Sequence, residues 1–324
     1  MKSIEEIQQA VKSYLASLDW HIAPVGLYEP IEYVLSLGGK RIRPTLSLMA
    51  CQLFGGKLEQ AMGPAIGLEI FHNFSLLHDD VMDKADMRRG HPTVHKKWNE
   101  NTAILSGDAM LIKAYQFVSK CDDSVYRSVL DVVSATCLGV CEGQQYDMEF
   151  ETRTDVSLPE YLEMIRLKTA VLLAGSLKVG ALCGGASLQD ADLLYDFGIG
   201  VGLAFQIKDD WLDVYGDVAK FGKAIGGDIN CNKKTFLLIT ALEKADAASK
   251  ATLMEWLAKE KFDRAEKVKA VTAIYDKLDV GSDAEKAMRH HYESAVAALK
   301  RVSVSEELKK PLYDLADHLL YRED

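Results

Sequence analysis

Apolar residues along most of this chain recur at steps of three and four, and nowhere in the sustained alternation of a strand. Ile4, Ile7, Val11, Tyr14, Leu15 and Leu18 set the pattern near the N-terminus, which puts them on one face of a helix. Ser3 and Glu6 form a capping box ahead of it, and the same S-x-x-E signature recurs at Ser157/Glu160, Ser282/Glu285 and Ser303/Glu306, each opening a new helical pattern. Long apolar-rich stretches occupy 44–54, 58–83, 101–119, 124–150, 158–182, 189–215 and 233–245, joined by short Gly- or Pro-bearing connections such as GGK, RRGHP and GGDIN. Hairpin signals are missing. The fold class expected is all-α, a single-domain antiparallel helical bundle over 1–324, since no Pro/Ser-rich linker divides the chain. The stretch 189–207 is apolar nearly all round and belongs centrally or at a subunit interface.

Composition narrows the partners. The formal net charge is −10, which disfavours nucleic acid and anionic membranes, because both reward clustered Lys and Arg. A polyanionic substrate would therefore need metal ions or a local basic pocket. The six cysteines include no C-x-x-C, so reduced core thiols are expected, Cys137 and Cys141 among them. The N-terminus lacks the basic head and apolar run of a signal peptide. No run approaches the roughly eighteen apolar residues of a membrane span, and a cytoplasmic location without stable membrane insertion is the expectation.

Two helical stretches end in a way that local physics disfavours. The first closes on FHNFSLLHDDVMD and the second on AFQIKDDWLDVYGD, so each runs apolar helix, then D-D-x-x-D, then a turn. Asp79 and Asp83 lie one helical turn apart on one face, as do Asp209 and Asp213. Like charges at that spacing repel by about 0.2–0.5 kcal/mol per pair, and carboxylates near a helix C-terminus oppose the macrodipole by about 0.3–1 kcal/mol. One such motif reads equally well as a solvated acidic face. Two of them suit hard divalent cations, above all Mg²⁺, which is bound by a few carboxylates together with substrate phosphates.

Basic residues form short groups nearby in sequence. GGKRIRP supplies Lys40, Arg41 and Arg43, while Arg88 and Arg89 follow the first aspartate motif, and Lys223, Lys233 and Lys234 follow the second. Arg forks match phosphate oxygens and Lys provides point charge.

These residues resemble a known family. GGKRIRP, LLHDDVMDKADMRRG, GQQYD, KTA, FQIKDDWLD and GKAIGGD stand in the order found in trans-isoprenyl diphosphate synthases of the short-chain type, over residues of about 36 to 240. The resemblance implies an all-α isoprenoid synthase bundle with a central apolar cavity, acting as a homodimer that joins isopentenyl diphosphate head-to-tail onto an allylic diphosphate. It implies that Asp79 and Asp83 ligate Mg²⁺ and Asp209 a further ion, about three per active site, bridging the allylic diphosphate. Asp80, Asp210 and Asp213 would support them, partly through metal-bound water. Arg88, Lys168, Lys223 and Lys233 would grip the allylic diphosphate, with Lys234 able to stand in for Lys233. Lys40, Arg43, His72 and Arg89 would hold isopentenyl diphosphate. Thr169, Gln206 and carbonyls near Lys168 would stabilise an allylic cation, and no side-chain base is implied. Gln144 and Asp147 of GQQYD would lie at the cavity wall, and Arg322 would fold over bound substrate.

Five residues before Asp79 stands Phe74, with Ser75 beside it. A tail anchored at Asp79 would run back about 7.5 Å along the helix to reach that ring. Within the family an aromatic there limits growth, and the small Ser75 beside it points to geranylgeranyl diphosphate as main product, with farnesyl diphosphate next. Phe74 as plain core is the alternative. Rival functions fit less well. Glu69-x-x-His72 is half of a di-iron motif, and no second E-x-x-H occurs. His78-Asp79 resembles a phosphohydrolase doublet, yet a helix-packed His78, or one bonded to neighbouring carboxylates, explains it. Terpene cyclases replace the second aspartate set, and non-catalytic regulatory subunits of prenyl synthases lose metal-binding aspartates that this chain keeps.

Overall fold

The structure, a computed structural model, describes residues 2–216 and 225–321. It is almost wholly helical over those residues, as the apolar spacing requires. In chain order the helices are α1 (Ile4–Ala16), α2 (Val25–Ser36), α3 (Ile42–Leu53), α4 (Leu58–Met82), α5 (Val94–Lys97), α6 (Glu100–Val118), α7 (Asp123–Thr152), α8 (Leu158–Ile165), α9 (Val171–Cys183) and α10 (Leu188–Tyr215). Beyond residue 225 follow α11 (Gly227–Asn230), α12 (Phe236–Lys244), α13 (Ala247–Ala258), α14 (Arg264–Leu278), α15 (Val280–Arg301) and α16 (Glu306–Tyr321). The chain groups into two compact units. The first holds Met1–Cys137, Gly175–Tyr195 and Val302–Lys309, and the second holds Leu138–Ala174, Asp196–Arg301 and Lys310–Asp324. Neither is a continuous stretch of chain.

The caps sort into those that formed and those drawn elsewhere. Ser3 Oγ accepts from the Glu6 amide at 3.3 Å while Ser3 N donates to the Glu6 carboxylate at 2.8 Å, and Ser157/Glu160 repeat the box at α8. Ser282/Glu285 does not start a helix. Asp279 turns left-handed, at φ 55°, and α15 begins directly after it, so Ser282 already lies within the helix. Ser303 is captured by Asp190, to which its amide and hydroxyl donate at 2.7 and 2.5 Å, and α16 opens later, at Glu306. The apolar stretch 158–182 is also not one α-helix: Arg166–Ala170 form a π-helical turn between α8 and α9. Helix α2, which lies outside those apolar stretches, carries within it Pro30, a residue that usually breaks a helix. The RRGHP-bearing connection holds a small hairpin, β1 (Met87–Arg88) against β2 (His91–Pro92), too short to show alternation.

In the first unit α4 packs along α6, and a small residue sets the approach. A Cβ on Gly107 would sit 2.2 Å from His78 Nε2, so only glycine leaves room for that imidazole. His78 is packed against the Phe74 ring, 4.7 Å between centroids, and bonds the Ile104 carbonyl at 3.1 Å. It is a packing residue held by backbone. Two of the expected core thiols are instead exposed, Cys141 and Cys231. Cys141 sits one turn past buried Cys137, at the edge of the apolar face of α7, where its angular offset turns it to the surface. That helix is also apolar and long enough to cross a membrane by length and composition, although polar residues interrupt it and 33% of the stretch is buried.

A buried ion pair in the first unit joins the start of α3 to α4. Arg41, left-handed at φ 49°, turns inward, and its guanidinium donates to Glu69 and to the Leu35 carbonyl, each at 2.5 Å. Both side chains are buried, and Glu69 also accepts from Asn73. Arg41→Ala should therefore lower unfolding free energy by about 3–5 kcal/mol, because it strands a buried carboxylate, whereas Arg41→Met with Glu69→Leu should recover most of it. Urea denaturation of the two variants measures the difference.

Candidate active site

In the first unit four arginines meet one histidine. Arg43 Nη1 lies 3.1 Å from His72 Nε2, and because a guanidinium only donates, that nitrogen accepts and the imidazole proton sits on Nδ1. Burial, then the charges of Arg43, Arg89, Arg88 and Arg41, hold the His72 pKa well below its usual value. His72 is neutral at neutral pH. Arg43 is itself pulled down to about 10 by burial, partly offset by Glu69, and its Nε is buried with no hydrogen-bond partner. Arg89, left-handed at φ 52°, lays its guanidinium over the GGK turn and donates to the Gly38 carbonyl at 2.5 Å. A Cβ on Gly39 would meet that guanidinium at 3.1 Å, and Gly39 is at φ 125°, which explains the paired glycines. The hairpin carrying Arg88 and Arg89 is tied down by Tyr33, whose hydroxyl donates to the Pro92 carbonyl at 2.7 Å. Lys40 is exposed on the adjoining loop.

The aspartates of the same unit divide their tasks. Asp80 is 4% exposed and receives the Arg88 guanidinium at 2.8 and 2.9 Å. Burial raises its pKa against the opposing pull of Arg88. Asp79 is half-buried and Asp83 exposed at the C-terminus of α4. The outer pair is accessible, and the middle carboxylate is engaged.

The second unit repeats the division with other donors. Asp210, 3% exposed, accepts from the Tyr161 hydroxyl at 2.5 Å, from the Phe236 amide at 3.0 Å and from Gln206 at 3.5 Å. Burial pushes its pKa up to about 7, opposed by Lys233. Asp213 accepts from the Asp228 amide at 2.9 Å, and burial together with the Asp228 charge raises its pKa. Asp209 and Asp213 are half-buried. Lys233, not Lys234, stands among the carboxylates. Burial pulls its ammonium down, but Asp228, Asp210, Asp147 and Asp213 more than offset it and the pKa is raised. Lys234 instead donates to the Glu151 carbonyl at 3.2 Å.

Lys168 and Thr169 ride on the π-helical turn, whose extra residue widens the backbone and re-aims its side chains. Lys168 pairs with Asp147 at 2.6 Å, and Thr169 donates to the Gln206 amide oxygen at 3.2 Å. A Cβ on Gly143 would sit 2.3 Å from the Lys168 amide nitrogen, so the GQ of α7 exists to let the turn approach. Gln144 Oε1 is buried with no hydrogen-bond partner. Phe74 is buried beside Phe71 and His78, and Ser75 donates to the His72 carbonyl. Lys223 and Arg322 lie outside the described residues. Sequence reasoning missed Glu69, Tyr161 and Asp228 as the groups that fix site residues.

Among the described residues no three His, Cys, Asp or Glu side chains gather to chelate a metal unaided. Asp79, Asp209 and Asp213 are half-buried and Asp83 is exposed, and carboxylate oxygens are the donors that a hard divalent ion such as Mg²⁺ takes.

The chain belongs to the polyprenyl synthetase family, whose profile matches residues 24–275. Within that family it is 40% identical to a short chain isoprenyl diphosphate synthase of Methanothermobacter thermautotrophicus, covering 93% of this chain and 92% of the relative. It is 41% identical to a geranylgeranyl diphosphate synthase of Methanosarcina mazei over 75% and 77% of the two chains. A crystal structure of a geranylgeranyl pyrophosphate synthase superposes over 100% of both chains with a TM-score of 0.95 at 43% identity. A geranylgeranyl pyrophosphate synthase of Corynebacterium glutamicum, complexed with isoprenyl diphosphate and magnesium, matches over 98% of each chain with a TM-score of 0.85 at 28% identity.

The neutral His72 has a consequence for stability. Its folded pKa is depressed, so below about pH 6.5 the unfolded chain binds a proton that the folded chain refuses, and stability falls as pH drops through that value. Urea midpoints at about pH 7.5 and about pH 5.5 should differ less for His72→Gln than for the unmodified chain.

Proposed function

We propose that this chain is a cytoplasmic, homodimeric, Mg²⁺-dependent prenyltransferase that condenses isopentenyl diphosphate head-to-tail with dimethylallyl, geranyl or farnesyl diphosphate, its two units acting as one isoprenyl diphosphate synthase domain. The observation that carries this reading is the group of Arg41, Arg43, Arg88 and Arg89 around a neutral His72, in a protein of net charge −10. Glu69 answers one of these charges and Asp80 another. The buried Arg43 Nε–H still lacks an acceptor, and a diphosphate oxygen is the group it is built to receive. This is the pocket for isopentenyl diphosphate, with Lys40 at its rim.

Asp79 and Asp83 in the first unit and Asp209 in the second would be the carboxylates that hold Mg²⁺, and the bound ion would supply charge stabilisation to a departing diphosphate. Arg88 and Lys233 are held in place by Asp80 and Asp228 to assist, and Lys168 by Asp147. When the allylic C–O bond breaks, diphosphate departs with the electron pair, and the isopentenyl double bond attacks the allylic carbon. The Thr169 oxygen keeps its lone pairs for the transient cation because its proton is donated to Gln206. Loss of a proton to the released diphosphate restores the double bond. A second copy of the chain suits α6, which leaves Ile104, Leu105 and Ile112 exposed.

Geranylgeranyl diphosphate is the proposed main product, supported by the names of the relatives and by Phe74 beside a small Ser75. Diphosphate release from isopentenyl and farnesyl diphosphates should require Mg²⁺, stop with EDTA, and fall by about two orders of magnitude in Asp79→Asn; release that ignores the metal would sink the enzyme reading. Phe74→Ala should lengthen the products seen by mass spectrometry, and an unchanged profile would leave Phe74 as core.

A further inference from the structure

Behind Lys233 lies a second lysine that has no obvious reason to be there. Lys267, on α14, is 0% exposed. Its Nζ donates to Asn232 Oδ1 at 2.5 Å and sits 4.2 Å from the centroid of the Phe262 ring. Among the described residues no carboxylate pairs with it. Burying an ammonium group without a counter-charge is unfavourable, and a Met of similar length would fill the space without that penalty. Packing alone therefore does not account for it.

What Lys267 holds is an amide used at both ends. Asn232 receives Lys267 on Oδ1 and donates its Nδ2 to the Leu257 carbonyl at 3.0 Å. The residue is left-handed, at φ 56°, a conformation Asn tolerates but does not prefer. The next residue is Lys233, whose amide donates to the Asp228 carbonyl at 3.0 Å and whose ammonium lies 3.8 Å from the Asp228 carboxylate. Lys234 then turns the other way, to Glu151. The backbone conformation at Asn232 thus decides which of two adjacent lysines joins the carboxylates.

We propose that Lys267 is a positioning residue, which clamps the left-handed Asn232 so that Lys233 is presented to the allylic diphosphate. The inference rests on the reading of Lys233 as a diphosphate-binding group. The test is steady-state kinetics of the purified full-length enzyme with Mg²⁺, varying farnesyl diphosphate. Lys267→Met should raise KM for the allylic substrate about tenfold, with kcat and KM for isopentenyl diphosphate little changed, and with thermal stability equal or higher. Lys267→Arg should rescue part of the loss. Asn232→Gly keeps the positive φ and removes the amide, so it should reproduce the KM effect even where Lys267→Met folds poorly. In a Lys233→Ala background Lys267→Met should add nothing, since its effect passes through Lys233. Unchanged KM in Lys267→Met and Asn232→Gly, or a full additive loss in the Lys233→Ala background, overturns the proposal. A Lys233→Ala variant of unaltered KM would instead remove the reading of Lys233 itself.

Discussion

Like charges crowded on one side of a folded chain repel until something of opposite sign arrives, and the first unit is organised around tolerating that crowding. Arg41 is neutralised inside the protein by Glu69, which fixes α3 against α4. Arg88 is neutralised by Asp80, which converts one member of an acidic motif into a support for a basic one. Arg89 is spread over the glycine turn, where backbone carbonyl replaces a counter-ion. Of these four described arginines, Arg43 keeps a buried donor without an acceptor, beside an imidazole that burial and the surrounding charge keep neutral. The remaining electrostatic demand is anionic and localised, as expected of a pocket for a substrate carrying several negative oxygens.

The second unit solves the inverse problem. There carboxylates dominate, and Lys233 is a cation placed among them. Tyr161 and the Phe236 amide absorb Asp210, the Asp228 amide binds Asp213, and Asp147 meets Lys168. In both units the middle aspartate of D-D-x-x-D is buried against protein donors while the outer ones are less buried, although Asp213 also accepts from the Asp228 amide. A helix explains why: residues one turn apart share a face, and the neighbour in between is rotated by about 100° into the packed side.

That rotation is also why the motifs were legible in sequence and their supports were not. Asp79, Asp83, Asp209 and Asp213 declare themselves by spacing within a single turn, and the capping boxes at Ser3 and Ser157 do the same. Asp210 meets Tyr161 across 49 positions, and Arg41 meets Glu69 across 28, separations no local pattern encodes. Ser303 carried a correct local signal that a distant Asp190 outcompeted. The choice between Lys233 and Lys234 turned on one left-handed residue, Asn232, whose conformation depends on partners in other helices. The membrane-like composition of α7 and the outward Cys141 likewise depend on which side of a helix finds a neighbour.

The π-helical turn at Arg166–Ala170 separates two demands that an unbroken α-helix would make compete. A regular helix ties the angular position of every side chain to every other, so a change that improves core packing at one end rotates the chemistry at the other. One extra residue in the turn acts as a phase shift. Tyr161 can keep its hold on Asp210 on one side of the turn while α9 packs in its own register on the other. Substitutions on either flank can then accumulate without re-aiming Lys168 and Thr169, so the packing of the neighbouring helices is open to reshaping while these two side chains stay in place.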